Sequence, residues 1–116
     1  MKDRIAIVAS IFLLTSVMIF SCSKSDNNKT NNPTPSNTVS IANMAFTPAT
    51  ITVTAGTMVT WTNNDNMTHT VTADDNSFDS GNLTSGSNYS RTFSVAGTYP
   101  YHCTIHPNMI AKVIVQ

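Results

Sequence analysis

The chain has 116 residues, only 10% of them charged, and its formal net charge is zero. That length makes one folded domain the default, and the lack of a basic patch or stripe excludes nucleic acid as the expected partner. Abundant Asn, Thr and Ser, frequent β-branched residues and few charges predict a small β-rich protein of an extracytoplasmic space.

The first segment reads as an address. Lys2 and Arg4 make a short basic start, followed by the uncharged, mostly apolar run "IAIVASIFLLTSVMIF" from Ile5 to Phe20. The run is short for a transmembrane helix, which needs roughly 20 apolar residues, and it lies where a secretory signal belongs. Residues 1–21 are therefore expected to be a signal peptide, with a permanent anchor helix as the alternative. Cys22 closes the run in "IFSC", which resembles the lipobox of bacterial lipoproteins, with small Ser21 just before the cysteine. The resemblance implies that Cys22 becomes a lipid-modified N-terminus tethered to a membrane. A chance cysteine, or one awaiting a disulfide, is the alternative. The only other cysteine is Cys103. With Cys22 acylated, Cys103 is left as an unpaired thiol outside the cytoplasm, a liability that a bound metal would remove.

After Cys22, "SKSDNNKTNNPTPSN" (Ser23–Asn37) offers nothing apolar to a core and reads as a flexible tether with a semi-rigid Pro-Thr-Pro piece. Residues 22–37 are thus assigned to a linker and 38–116 to the folded domain, about 80 residues and within the range that folds alone. No helical periodicity occurs in this domain. A strand is expected over Thr38–Ile41, continued after a kink by Met44–Phe46 and broken at Pro48. "TITVT" (Thr50–Thr54) and "MVTWT" (Met58–Thr62), joined at Ala55-Gly56, predict a hairpin with Ile51, Val53, Val59 and Trp61 inward. Asn63–Asn66 reads as a polar loop and His69–Thr72 as the start of a strand. Ala73–Ser87 is loop-rich, with Phe78 plugging it into the core. Asp74, Asp75 and Asp79 there read as a solvated acidic loop, with partner steering or calcium as the sharper alternative. Tyr89–Val95, Thr98–Cys103 and Ala111–Val115 complete the pattern, with Arg91 snorkelling from an edge. About seven short strands and no helix predict an all-β sandwich.

Chemistry concentrates in "CTIHPNM", Cys103–Met109. Alternation on the preceding strand points Tyr99, Tyr101 and Cys103 one way and His102 the other. His106 and Met109 follow Cys103 at spacings of three, so one tight loop can aim a thiolate, an imidazole and a thioether at one point. Soft sulfur donors with imidazole favour copper, and a trigonal His₂Cys set with a weak axial Met is the blue-copper arrangement. A second histidine is then needed. Of the three in the chain, His102 faces away, which leaves His69, near the pole where sandwich loops meet. An ordinary surface histidine is the alternative.

The stretch "GTYPYHCTIHPNMIAKVIVQ" (Gly97–Gln116) resembles the C-terminal signature of cupredoxins, with the short Cys-x-x-His-x-x-Met spacing of the amicyanins. "MAFTPATITVTAGTMVTWTNND" (Met44–Asp65) and "THTV" (Thr68–Val71) are similar to the plastocyanin-like members. The resemblance implies a Greek-key sandwich holding one type 1 copper at His69, Cys103, His106 and Met109. Many relatives place Pro before the upstream histidine and Asn after it. Here Thr68 and Thr70 stand there, and Thr70 is expected to bind the two ligand loops with less reach. Four protein ligands leave no open position for a substrate, so an electron carrier rather than an enzyme is expected. It would act as a monomer that docks redox donors and acceptors briefly, through an apolar rim of Met67, Ile105, Pro107 and Met109 around His106. A copper-binding and delivery protein of the periplasm is the alternative.

Overall fold

The computed structural model describes residues 36–116. The signal run, Cys22 and most of the tether lie outside the described residues. Eight strands form: β1 Thr38–Ala42, β2 Ala45–Thr47, β3 Thr50–Val53, β4 Thr57–Asn63, β5 Thr72–Ala73, β6 Asn88–Phe93, β7 Gly97–His102 and β8 Ile110–Val115. There is no helix among the described residues. The strands lie in two four-stranded sheets, ordered β2-β1-β4-β6 and β3-β8-β7-β5. Both sheets are mixed, because β1 runs parallel to β4 and β3 parallel to β8.

Period-two alternation decides which residues enter the space between the sheets. Ile51 and Val53 of β3, Val59 and Trp61 of β4, and Val113 and Val115 of β8 are all buried, while the residues between them, Thr52, Thr60 and Ile114, are exposed or half-buried. Trp61 sits at the centre, with Tyr101 edge-on at 5.5 Å between ring centroids, Tyr89 at 5.7 Å and Phe78 and Phe93 each at 6.3 Å. Phe78 therefore does tie the long 73–87 connection to the core. Arg91, on the edge strand β6, lies with its guanidinium 4.8 Å from the Phe78 ring centre and donates to the Ser77 carbonyl. Val95 departs from the expected alternation: β6 ends at Phe93, and Val95 is exposed.

The hairpin expected from Thr50–Thr54 and Met58–Thr62 does not form. β3 pairs with β8 and β4 with β1 and β6, so the two segments belong to opposite sheets. The corner between them explains why. The Ala55 N–H donates to the Gln116 carbonyl past the end of β8, and the next amide, Gly56 N–H, donates to the Phe93 carbonyl on β6. Consecutive amides thus engage different sheets. Gly56 has φ +89°, which a glycine adopts without penalty. The first strand differs too: Ala45–Thr47 folds back antiparallel on β1, with Phe46 opposite Ile41, instead of extending it.

β7 and β8 position the loop that carries Cys103, His106 and Met109. They pair from Gly97↔Val115 to His102↔Ile110, so Cys103–Met109 is the loop that closes an antiparallel hairpin. His69 lies before β5, against Leu83, with which it exchanges two backbone hydrogen bonds of 3.1 and 2.8 Å.

Burial pushes the Tyr101 phenol from its ordinary 10 up to about 12, partly offset by the indole N–H of Trp61. Neither group reaches hydrogen-bonding geometry with a partner. Because the folded-state pKa is the higher one, the stability from keeping the phenol neutral is whole below pH 10 and is lost as pH rises through about 12. Urea melts of wild type and Tyr101→Phe at about pH 8 and about pH 11 should show the wild type losing roughly 1–2 kcal/mol more than the variant. Equal losses would mean that the phenol is not sequestered in the folded state.

Candidate metal centre

The donor loop is closed by its own backbone. The Cys103 N–H donates to the Met109 carbonyl at 3.0 Å, and the Met109 N–H donates to the His106 carbonyl at 2.9 Å. These two bonds fold seven residues into a compact turn with Pro107 inside it. Cys103 is fully buried and unpaired, and Met109 is buried in the same turn, while His106 is partly exposed.

His69 comes from a separate segment and meets this loop, as the elimination from three histidines expects. Its Nδ1 lies 3.1 Å from His106 Nδ1, and each of these nitrogens lies 3.8 Å from Cys103 Sγ. His69, Cys103 and His106 form the one group of metal-type side chains among the described residues. The fit to a metal can be tested from these edges alone. A point equidistant from the three atoms lies about 2.1 Å from each, close to ordinary metal–imidazole and metal–thiolate bond lengths. Met109 completes a soft donor set beside them. The residues present therefore fit a copper ion.

Two threonines lock the segments together. The Thr70 N–H donates to Cys103 Sγ at 3.3 Å, which ties the 69–72 segment to the sulfur. The Thr70 hydroxyl oxygen accepts the Thr104 N–H at 2.9 Å and lies 3.0 Å from the Thr104 and Thr72 hydroxyls. Thr72 in turn donates to Asp79 Oδ1 at 3.1 Å. The shorter reach expected of Thr70 is no handicap, because His69 and Cys103 run close enough for a hydroxyl to span them.

His102 points away from the donors, as the alternation requires, and its Nδ1 lies 2.6 Å from Asp74 Oδ1. The acidic stretch forms no shared cation site among the described residues. Asp74 takes His102, Asp75 accepts the Ser77 N–H, and Asp79 accepts from Thr72 and from the Gly81 N–H. An apolar cleft beside His106 is lined by Met44, Ile105, Pro107, Asn108 and Met109. Met44 thus joins the expected rim. Met67 is exposed but does not line the cleft, and Met109 contributes from a buried position.

Two residues read only as polar loop shape the site. Asn63 is fully buried: its Nδ2 donates to the Met67 and Leu83 carbonyls, and its Oδ1 accepts the Asp65 N–H. Asp65 Oδ2 meets His69 Nε2 at 3.1 Å and also accepts the Met44 N–H at 3.2 Å. These contacts, Met44 first and His69 second, hold the Asp65 carboxyl below its ordinary pKa of 3.8. The signal for Asn63 was its place at the end of an alternating strand, where a buried position demands that its amide be satisfied.

Thr70→Val keeps the shape and the N–H to sulfur but removes the hydroxyl bridge. It should cost roughly 1–2 kcal/mol in denaturant unfolding of the metal-free protein. No loss of stability would show that the bridge contributes nothing.

Comparison with known proteins follows the same lines. A family model described as a cupredoxin-like domain matches residues 10–115. Amicyanin-alpha of Methylorubrum extorquens is 38% identical over 94 residues, which span 72% of this chain and 75% of the relative. Chloroplastic plastocyanin of Tetradesmus obliquus is 37% identical over 86 residues, 63% of this chain and 59% of the relative's length. A proline-to-glycine variant of amicyanin in its reduced Cu(I) form superposes with a TM-score of 0.64 at 38% identity, covering 68% of this chain and 80% of that one.

Proposed function

The chain belongs to the cupredoxin family of type 1 copper electron carriers, and on that premise we propose that His69, Cys103, His106 and Met109 hold its copper and that the protein shuttles single electrons between redox partners of a bacterial cell envelope. The observation that carries the assignment is the convergence of His69 Nδ1, His106 Nδ1 and Cys103 Sγ within 3.8 Å of one another, drawn from two separate segments.

Copper bound there would supply a reversible one-electron change between Cu(II) and Cu(I). The chain supplies the rest. Cys103 would bind as the thiolate once metal is present, with the Thr70 N–H donating to its sulfur. The paired sheets and the two loop-closing backbone bonds hold the donors so that little atomic movement accompanies a change of charge. Four side chains fill the donor set, which leaves no position for a substrate and supports a carrier rather than an enzyme. His106 brings its ring to the surface within the cleft of Met44, Ile105 and Pro107, an apolar contact suited to brief docking by one protein molecule at a time.

The location rests on the sequence before the described residues. In this reading residues 1–21 direct export, Cys22 carries lipid, residues 22–37 form the tether and 38–116 the copper domain. The family model and the electron-carrier relatives fit an envelope setting.

Cys103→Ser should abolish the blue charge-transfer colour of the copper-loaded protein while far-UV circular dichroism still shows the β fold; an unchanged visible spectrum would rule out the assigned site. Cys22→Ser should move the protein from the membrane to the soluble fraction on cell fractionation. Retention in membranes would instead identify the apolar run as an uncleaved anchor.

A further inference from the structure

The buried histidine has a carboxylate at its back. The His69 ring is fully buried, so its Nε2 depends on the protein for a partner, and Asp65 Oδ2 at 3.1 Å provides it. A carboxylate accepts and does not donate, so Nε2 is the nitrogen that carries the proton toward Asp65, and in the neutral ring Nδ1 is then the bare one. Nδ1 is the atom that faces Cys103 Sγ and His106 Nδ1. Asp65 is itself held at both ends: the Asn66 N–H donates to Oδ1 at 2.9 Å, the Met44 N–H donates to Oδ2 at 3.2 Å, and the Asp65 N–H is fixed on the Asn63 side chain. His106, by contrast, has no carboxylate partner among the described residues.

We propose that Asp65 is a positioning residue of the metal centre, whose carboxylate fixes His69 as the Nε2–H tautomer and biases the site toward the oxidised ion. This rests on His69 being a ligand. The bias follows from charge: a carboxylate drawing on the Nε2 proton makes Nδ1 a stronger donor, and a stronger anionic environment favours Cu(II) over Cu(I). The same oxygen ties the ligand to the docking cleft. Met44, which lines that cleft, sits in the β1–β2 turn with Asn43, and the two have φ of 59° and 52°. Non-glycine residues rarely hold that conformation in succession without an outside contact, and the bond from the Met44 N–H to Asp65 is such a contact.

The test has two arms on wild type, Asp65→Ala and Asp65→Asn. In the metal-free protein, long-range ¹H–¹⁵N spectra of the histidine rings should show wild-type His69 protonated at Nε2, and Asp65→Ala should lose that preference. In the copper-loaded protein, voltammetry should show the potential raised in both variants. A tenfold fall in the Cu(II)-to-Cu(I) affinity ratio corresponds to about 59 mV. Asp65→Asn keeps the shape and an acceptor oxygen and changes only the charge, so it carries the test if Asp65→Ala fails to fold. Protonation of wild-type His69 at Nδ1, or potentials in the variants equal to wild type, would overturn the proposal. The tautomer arm needs no metal, so a failure to take up copper counts against the copper reading, while an Nδ1-protonated His69 counts against Asp65.

Discussion

Everything at the metal centre depends on two chain segments, 33 residues apart at Thr70 and Cys103, being held at hydrogen-bonding distance. Neither segment could assemble the donors alone. The Cys103–Met109 turn brings a cysteine sulfur, one imidazole and a thioether, and the 69–72 segment brings the other imidazole. Thr70 joins them twice, through its amide to sulfur and through its hydroxyl to the Thr104 amide. Because Thr70 is buried, these bonds are shielded from competing water, and losing one would leave buried polar groups unpaired. The sandwich exists, from the viewpoint of the site, to bring these two segments to the same end: β5 pairs with β7, which places Thr72 opposite His102, and the donors on either side follow in register.

The local part of this arrangement was legible in the sequence, and the reason is periodicity. Alternation on β7 separates Cys103 from His102, and the structure turns the one inward and pairs the other with Asp74 at the surface. Spacings of three within a loop closed by a hairpin bring Cys103, His106 and Met109 together without help from elsewhere. His69 was reached by counting histidines and by its place near one pole of the sandwich, and the family resemblance of Thr68–Val71 pointed to the same residue. What alternation cannot tell is which strand lies beside which. Ile51, Val53, Val59 and Trp61 all point inward as expected, yet they face one another across the core instead of lying side by side on one hairpin. A two-residue corner at Ala55-Gly56 looks like a hairpin turn in sequence. Its nature as a crossing between layers is set by the distant carbonyls of Gln116 and Phe93.

Asn63 and Asp65 were hidden for a different reason. In composition "NNDN" is a solvated loop, and two of its four residues, Asn64 and Asn66, are indeed exposed. The other two turn inward because a buried histidine and the loop carbonyls of Met67 and Leu83 need partners that water cannot reach. Demand of that kind arises only after the fold has buried something polar, so it leaves no trace in hydrophobic patterning. Thr70 shows the converse. A substitution that looks weaker against the family pattern serves well, because reach matters less when the segments lie so close.

The four donor residues differ sharply in depth: His69 and Cys103 are sealed off, Met109 nearly so, and His106 alone stands partly open. A centre insulated on every side but one has a single port. Electron exchange by way of the donor residues would then run through the His106 edge, beside the cleft of Met44, Ile105 and Pro107.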